Sequence, residues 1–339
     1  MTLIDGLFVN KGGGAVLFRY LIETIMQRPD KDKFFFLLDP RFGIPASLTG
    51  NYLVIHNNTS ERKKFYKKHH HSYRKVLCFA NTPPPVKMKA EVYTYFHNQK
   101  LLEAPGKKFQ KMFWSQYIKY LYVKVNAANT DYFIVQTKHM VDGLVEVGLK
   151  DRKHCLTIPF YDDTKYVAPD VPFEKRRKDE FVFISNPTPQ KNYPALLDAW
   201  EELHVRGLTP TLHVTIDETA PTFTERVKRM NERGMHVVNH TYIDPRELYY
   251  TCPYLIFPSL MESFGLPLIE AAESGMKILA SDLPFTYDVV TPSLVFDQSK
   301  PSAIADAVVK AMNTPDLPFP TVVTTNHVHE LIDLLAREK

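Results

Sequence analysis

Two glutamates stand close together in the second half of the chain, in the stretch ESFGLPLIE. Glu262 and Glu270 are separated by seven residues, among them a glycine and a proline. The strand-like run 254–259 precedes them, and Pro267 suits the first turn of a helix, where proline is favoured. We therefore expect Glu262 in a loop at the carboxyl end of a strand and Glu270 about one turn into the next helix.

These residue types suit a sugar or phosphate ligand. The loop offers backbone N–H groups close to the helix N-terminus, those of Ser263, Phe264, Gly265 and Leu266. Such groups bind anions, and a carboxylate such as Glu270 accepts hydrogen bonds from vicinal hydroxyls. Taken alone, Glu270 is better explained as an acidic residue favoured by the helix dipole. The combination of Glu270 with the S-F-G-L-P loop favours a role in binding a ligand.

Three other loops follow strand-like runs and carry polar or glycine residues. Gly13 and Gly14 lie before a helix and would let a ligand approach the backbone, although a tight turn explains them equally well. Neither G-x-G-x-x-G nor a P-loop lysine is present. Lys191 could neutralise a diphosphate, but alone it is more simply a solvated lysine. His97, at a strand end, could face a ligand or be structural.

Two apparent metal motifs are discounted. The DKD run at 30–32 precedes a strand and is interpreted as a solvated turn. The adjacent histidines 69–71 cannot converge on one ion as i, i+4 histidines do. No metal ligand set and no cofactor are therefore predicted.

The elements that must position these residues follow an alternating pattern. Short apolar runs divided by helical segments predict an α/β fold with parallel, doubly wound sheets, in which ligands bind at the carboxyl ends of strands. The predicted strands are 3–9, 33–39, 51–57, 75–81, 91–98, 131–137, 155–160, 181–185, 211–216, 235–241, 254–259, 277–282 and 293–297.

The 339 residues are enough for two domains. Prolines and charges replace the apolar periodicity at 161–180, which predicts a linker. The expected division is a domain at 1–160, a second domain at 181–325, and a terminal amphipathic helix at 326–339.

Charge and cysteine usage limit the partners and the compartment. A net charge of +4 is too small to predict nucleic-acid binding. The basic, aromatic segments 61–75 and 107–126 could contact an anionic membrane surface, although solvated helix faces explain them somewhat better. The three dispersed cysteines are expected to be reduced, in the cytosol. No apolar run approaches the length of a membrane span, so any membrane contact is expected to be peripheral.

The run 254–285 resembles the donor-binding core of retaining glycosyltransferases of family 4, in which two glutamates form an E-x7-E signature. The resemblance extends to PQKN at 189–192, to FHN at 96–98 and, more thinly, to the early glycine loop. It implies a GT-B fold of two Rossmann-like domains that face a central cleft, with the terminal helix returning to the first domain. It also implies a metal-independent hexosyl transfer from a nucleotide-diphospho-sugar to a hydroxyl acceptor.

The resemblance assigns a role to each matching position. Glu270 binds the ribose, Glu262 lies near the donor sugar and the amides of 263–266 hold sugar and phosphate. Lys191 stabilises the leaving diphosphate.

On the other domain, Gly13 and Gly14 approach the phosphates and His97 contacts the sugar. The acceptor is expected to be a glycan or lipid-linked glycan of a bacterial cell surface.

One departure from the family concerns the loop before Lys191. The family commonly has Gly-Arg where this chain has Ser185-Asn186, so Asn186 is a candidate donor-binding residue in place of an arginine. Without this arginine the chain lacks one cation that would bind the diphosphate. An alternative function therefore stays open, that of a catalytically weak subunit that binds a nucleotide sugar. A GT-B sugar-nucleotide epimerase or phosphorylase is a further alternative.

Overall fold

The computed structural model describes residues 1–103, 106, 114–167, 169, 172–314 and 316–338. The chain divides into two units. Unit 1 contains Met1–Asp162 and Thr325–Lys339, and unit 2 contains Asp163–Thr324. The part of the basic segment at 107–113 lies outside the described residues.

Unit 1 is built on a parallel sheet of seven strands in the order β3-β2-β1-β4-β5-β6-β7. The strands are β1 (Thr2–Gly6), β2 (Phe34–Leu38), β3 (Tyr52–Val54), β4 (Lys75–Cys78), β5 (Glu91–Tyr95), β6 (Tyr132–Val135) and β7 (Cys155–Thr157). The helices are α1 (Gly13–Met26), α2 (Thr59–Lys68), α3 (Gln99–Glu103), α4 (Trp114–Asn126), α5 (Lys138–Glu146) and, from the C-terminus, α12 (Val328–Ala336). The central strands are buried along their whole length, as expected of a sheet covered on both faces.

The terminal helix α12 packs against α1 and β4 of unit 1. It buries one apolar face, formed by Val328, Leu331, Ile332 and Leu335. Lys75 and Thr2 donate hydrogen bonds to the carbonyls of Leu334 and Leu335 near its C-terminus, at 2.5 and 2.8 Å. These bonds satisfy carbonyls that have no partner within a helix.

Unit 2 contains a parallel sheet of six strands in the order β10-β9-β8-β11-β12-β14, and a small antiparallel pair, β13-β15. The strands are β8 (Glu180–Phe183), β9 (Thr211–Val214), β10 (Val237–Asn239), β11 (Tyr254–Phe257), β12 (Lys277–Ser281), β13 (Val290–Thr291), β14 (Leu294–Phe296) and β15 (Thr321–Val322). The helices are α6 (Tyr193–Val205), α7 (Pro221–Glu232), α8 (Pro245–Tyr249), α9 (Leu266–Glu273), α10 (Pro284–Tyr287) and α11 (Pro301–Asn313). The prediction of two parallel α/β sheets is confirmed.

The segment 161–180, predicted as a linker, is packed onto unit 2 over much of its described length. Arg176 is buried and donates to the carbonyls of Tyr249 and Ser274, at 3.3 and 2.7 Å. These carbonyls stand at the C-terminal ends of α8 and α9, where a cation is favoured. The ring of Tyr166 lies 5.8 Å from that of Tyr249.

The basic segment 61–75 is less exposed than the sequence suggested. Arg62 and Lys75 are buried. Arg62 Nε donates to Asp5 Oδ2 on β1 at 2.8 Å, and Tyr66 donates to the same oxygen at 2.6 Å. A buried charge needs such partners. The amphipathic helix α2 therefore buries one of its cations, Arg62, in the core of the unit. Arg62 and Lys75 therefore belong to the core and not to the basic surface of this segment.

Candidate functional site

The strand order of unit 2 reverses between β8 and β11, which are neighbours in the sheet. Ligands of parallel sheets bind at such a reversal, beyond the carboxyl ends of the strands. The loops that follow β8 and β11 meet there, because Leu260 N–H donates to the carbonyl of Gln190 at 2.8 Å. These two loops contain Lys191 and Glu262.

Lys191 and Glu262 form an ion pair at this edge, with 2.5 Å between Nζ and Oε1. The side chains are only 17% and 14% exposed, so solvent screens the pair less than it would a surface bridge. The Lys191 ammonium also lies 5.5 Å from the ring centre of Phe257, at the end of β11. The sequence predicted a ligand role for each residue separately, and their pairing is a result of the fold.

A tight turn holds Lys191 in place. Residues Pro189–Lys191 form a single 3₁₀ turn, and Asn192 follows with a left-handed backbone at φ 56°. The Asn192 amide donates to the carbonyl of Gln298 at 2.8 Å, which fixes the turn against a distant loop. Lys191 is therefore anchored at its backbone while its ammonium reaches the opposite loop.

Gly265 connects the Glu262 loop to α9. Its φ is 87°, a left-handed conformation that disfavours other residues, and an added Cβ would lie 3.2 Å from Leu268 Cδ1. Pro267 lies in the first turn of the helix. The turn brings the amides of 263–266 to the positive end of α9, and the side chain of Phe264 is buried in the core, so this residue offers a ligand only its backbone.

Glu270 lies one turn into α9 and is half-buried. Burial raises the pKa of its carboxyl to about 7, against the opposing effects of the Lys165 ammonium and the hydroxyls of Tyr166 and Tyr249. Glu270 therefore changes its charge close to neutral pH, which the sequence did not predict. The partners Lys165 and Tyr166 come from the segment before β8, and no spacing pattern pointed to them.

The loop after β8 carries no arginine where the family has one. Ser185 is held by its backbone, because its N–H donates to Thr215 Oγ1 at 3.0 Å and its carbonyl accepts from Tyr193 at 2.6 Å. Asn186 is exposed, and its carbonyl accepts from the N–H of Thr188. The side chain of Asn186 can therefore reach a ligand, but it brings no positive charge.

In unit 1 the strand order reverses between β1 and β4, and the glycine loop follows β1. A Cβ on Gly14 would lie 2.7 Å from His97 Nε2, so only glycine lets the loop and the imidazole pack together. Asn81 holds His97 by accepting from its N–H at 2.6 Å and lying 3.3 Å from Nε2. Burial lowers the pKa of His97 to about 4, so the imidazole is neutral.

The structure thus sorts the predicted residues into two sets. In unit 1, Gly14 packs against His97, and Gly13 precedes Gly14 in the same loop. The second set, in unit 2, is Asn186, Lys191, Glu262, Ser263, Phe264, Gly265, Leu266 and Glu270. Asn81 was missed, although its place at the end of a predicted strand could have indicated it.

The part of unit 2 that carries the charged edge is similar in sequence to a known protein family. Residues 178–314 match the family model described as "Glycosyl transferases group 1". This match covers both loops of the Lys191–Glu262 pair and the helix that carries Glu270.

Individual proteins resemble the chain in sequence and in structure. The serotype-specific mannosyltransferase WbdA of Escherichia coli is 29% identical over 134 residues, which are 38% of this chain and 16% of that protein. The chain thus matches only about a sixth of this curated relative's length.

Among solved structures, WaaG is described as a glycosyltransferase involved in lipopolysaccharide biosynthesis. Its superposition covers 99% of this chain and 99% of WaaG, with a TM-score of 0.67 at 14% identity. Anabaena HepE, solved with UDP and glucose, covers 98% of this chain and 94% of its own, with a TM-score of 0.68 at 12% identity. These likenesses show the GT-B fold.

Proposed function

We propose that the chain is a retaining glycosyltransferase of family 4, which moves a hexosyl group from a nucleotide-diphospho-sugar to a hydroxyl acceptor. One observation carries this proposal. The Lys191–Glu262 pair lies at the strand reversal of unit 2, beside the N-terminal end of α9. A cation, a carboxylate and helix amides at one edge suit a sugar diphosphate better than they suit an uncharged ligand.

Lys191 acts on the leaving group. Negative charge grows on the diphosphate as the glycosidic bond breaks, and preorganised cations and amide dipoles stabilise it. The Lys191 ammonium turns from Glu262 to the diphosphate, and the amides at the start of α9 take the remaining oxygens. Because protein groups supply this stabilisation, transfer does not require a metal ion.

Glu262 then faces the sugar. An oxocarbenium-like sugar is stabilised by a nearby carboxylate, and Glu262 supplies that carboxylate. The acceptor hydroxyl attacks from the face that the diphosphate leaves, which retains the configuration of the anomeric carbon. Glu270, the second glutamate of the E-x7-E spacing, binds the ribose hydroxyls.

The acceptor is a glycan or lipid-linked glycan of a bacterial cell surface. The names of two similar proteins support this class, since WbdA is a serotype-specific mannosyltransferase and WaaG takes part in lipopolysaccharide biosynthesis. The roles of Gly13, Gly14 and His97 towards the donor stay predictions.

A surface of unit 1 supports a place at the inner face of the cytoplasmic membrane. Helix α4 exposes an apolar stripe at helical spacing, formed by Trp114, Ile118, Leu121 and Val125, which are 41–80% exposed. Lys119 and Lys124 are exposed on the same helix. Among the described residues, no helix has the length and apolarity needed to cross a membrane. Such a stripe with lysines suits an anionic surface, which it would enter only partly.

The membrane proposal is tested by sedimentation with phosphatidylglycerol vesicles at low salt. The unmodified protein is expected to sediment, and the Trp114→Ser/Ile118→Ser variant is expected to stay in solution. Phosphatidylcholine vesicles are the neutral control. Equal sedimentation of both proteins would contradict the proposal that α4 contacts the membrane.

The transfer proposal is tested first with a thermal-shift panel of UDP, GDP, ADP, dTDP and CMP. The matching sugar nucleotides are then supplied with glycan acceptors, and the anomeric configuration of the product is read by NMR. Glu262→Gln and Lys191→Met are expected to lose transfer, whereas Lys310→Met, an exposed lysine of α11, is the matched control. Inversion of the anomeric centre, or full activity of both site variants, would contradict the proposal.

A second candidate function is a catalytically weak subunit that binds a nucleotide sugar. It is favoured by Ser185-Asn186, which supplies no arginine to the diphosphate. Tight nucleotide binding without transfer or hydrolysis of any donor would favour this candidate. Substituting Asn186→Arg should then raise turnover, because it restores a cation beside the leaving group.

A further inference from the structure

Four side chains with metal-binding atoms lie together in unit 2, on strands or just beside them. Glu180 is the first residue of β8, His213 lies in β9, His240 follows β10 and Cys252 precedes β11. These four strands are consecutive in the sheet. The cluster therefore spans four adjacent strands of one sheet.

The side chains form a continuous chain of short contacts. His213 Nε2 lies 2.9 Å from Glu180 Oε2, and Cys252 Sγ donates to the same oxygen at 3.4 Å. The other ring nitrogen of His213, Nδ1, lies 2.9 Å from His240 Nε2. One ligand atom from each of Glu180, His213 and Cys252 falls within 4.8 Å of the other two.

We propose that Glu180, His213 and Cys252 form a binding site for a zinc-class divalent cation, with His240 as the hydrogen-bond partner of His213. One imidazole nitrogen, one thiolate and one carboxylate are the mixture of ligands that Zn²⁺ accepts. The site is independent of the proposed transfer, because Glu180 begins β8 and Lys191 lies beyond its other end.

Two of the three distances between ligand atoms are close to those of a loaded site, and the third, between His213 and Cys252, is at most 4.8 Å. With Zn–N of about 2.0 Å and Zn–S of about 2.3 Å, neighbouring ligand atoms around a tetrahedral ion stand about 3.3–3.6 Å apart. The Cys252–Glu180 contact already has this spacing, and the His213–Glu180 contact must open by only about half an ångström. A water molecule supplies the fourth ligand.

The orientation of His213 also fits. A metal-binding histidine usually donates its second N–H to an acceptor, which fixes its tautomer. When Nδ1 of His213 carries the proton and donates it to His240, the lone pair of Nε2 points at Glu180 and Cys252.

Charge and protons balance when the ion binds. The thiol of Cys252 releases its proton to solvent, and the thiolate with the Glu180 carboxylate neutralises the two charges of the ion. In His213 the proton moves from Nε2 to Nδ1, with a matching tautomer change in His240. Arg177, whose Nη1 lies 3.4 Å from Glu180 Oε2, is half exposed and can turn into solvent.

The test is titration of the purified full chain, stripped of metal, with CoCl₂ and with ZnCl₂. Co²⁺ bound to a thiolate gives a near-ultraviolet charge-transfer band, which reports the sulfur ligand directly. We expect the band in the unmodified protein, its loss in Cys252→Ser and its weakening in His213→Gln. Cys155→Ser is the control, because Cys155 lies in unit 1.

Zinc should also raise the Tm of the protein, because an ion that binds only the folded state stabilises it by mass action. Zinc is expected to displace cobalt and abolish the band. Absence of the thiolate band together with an unchanged Tm in the unmodified protein would overturn the proposal, whatever the variants do. An equal band in Cys252→Ser would place the ion on another cysteine and overturn it as well.

Discussion

Glu270→Gln should make the ligand-free protein more stable at alkaline pH and at the same time weaken nucleotide binding. Burial raises the pKa of the Glu270 carboxyl from 4.5 to about 7. The folded chain therefore prefers a protonated Glu270, whereas the unfolded chain ionises it near 4.5. Above pH 7 the fold contains a carboxylate that it disfavours, and glutamine removes that cost.

The size of the gain in stability, and the pH range over which it develops, follow from the pKa shift of Glu270. A shift from 4.5 to about 7 corresponds to about 3 kcal/mol. Because Glu270 is partly exposed, we expect about 1–3 kcal/mol. Below pH 4.5 both states bind the proton and the difference vanishes. It grows as the pH rises from 4.5 to 7 and is complete above 7.

Glu270→Gln should stabilise the ligand-free fold but weaken nucleotide binding. Hydrogen bonds from ribose hydroxyls to a charged acceptor contribute about 1.5–3 kcal/mol, which predicts about 10- to 150-fold weaker binding of the matching nucleoside diphosphate. For the unmodified protein, affinity should also rise between pH 6 and 8, as Glu270 ionises. The glutamine variant should lack the part of this rise that belongs to the carboxylate.

Thermal unfolding and calorimetric titration at pH 4 and pH 8 measure both effects. The Tm of unit 2 should rise by about 2–4 °C per kcal/mol at pH 8. Glu247→Gln, on the exposed surface of α8, is the control for removing a carboxylate. The reasoning is refuted if Glu270→Gln is no more stable than the unmodified protein at pH 8, or if nucleotide affinity is unchanged.

Three further substitutions test the two units. Lys191→Met should lower kcat of transfer by about 10²- to 10³-fold, because the leaving diphosphate loses its cation; steady-state kinetics measure this. Gly14→Ala should destabilise unit 1 by about 1–3 kcal/mol, because the new methyl group meets His97, and adding His97→Ala should recover most of the loss. Arg62→Met should cost about 3–5 kcal/mol in urea unfolding, since it leaves the Asp5 carboxylate buried without its cation; a loss below 1 kcal/mol would contradict this.

Local patterns predicted most strands but misplaced their ends. The first strand was expected to reach residue 9, and it ends at Gly6. The chain leaves the sheet there because Leu7 N–H turns back to Asp5 Oδ1 and Phe8 adopts a left-handed backbone at φ 79°. The pair β13 and β15 was missed, because two-residue strands are too short to show periodicity.

The sequence by itself determined which side chains stand at the carboxyl ends of strands. Alternation of apolar runs and helical segments is a local property, so the loop positions of Lys191 and Glu262 followed from it. Their contact did not, because the two residues are 71 positions apart and meet only when β8 and β11 become neighbours.

Only the tertiary structure decided the charge states. The pKa of Glu270 and that of His97 depend on burial by segments distant in sequence, which no spacing within one motif records. The same reason explains the unexpected cluster of Glu180, His213 and Cys252, whose members lie on two strands and just before a third. Residue types set what each side chain can do, and the order of the strands decides which side chains act together.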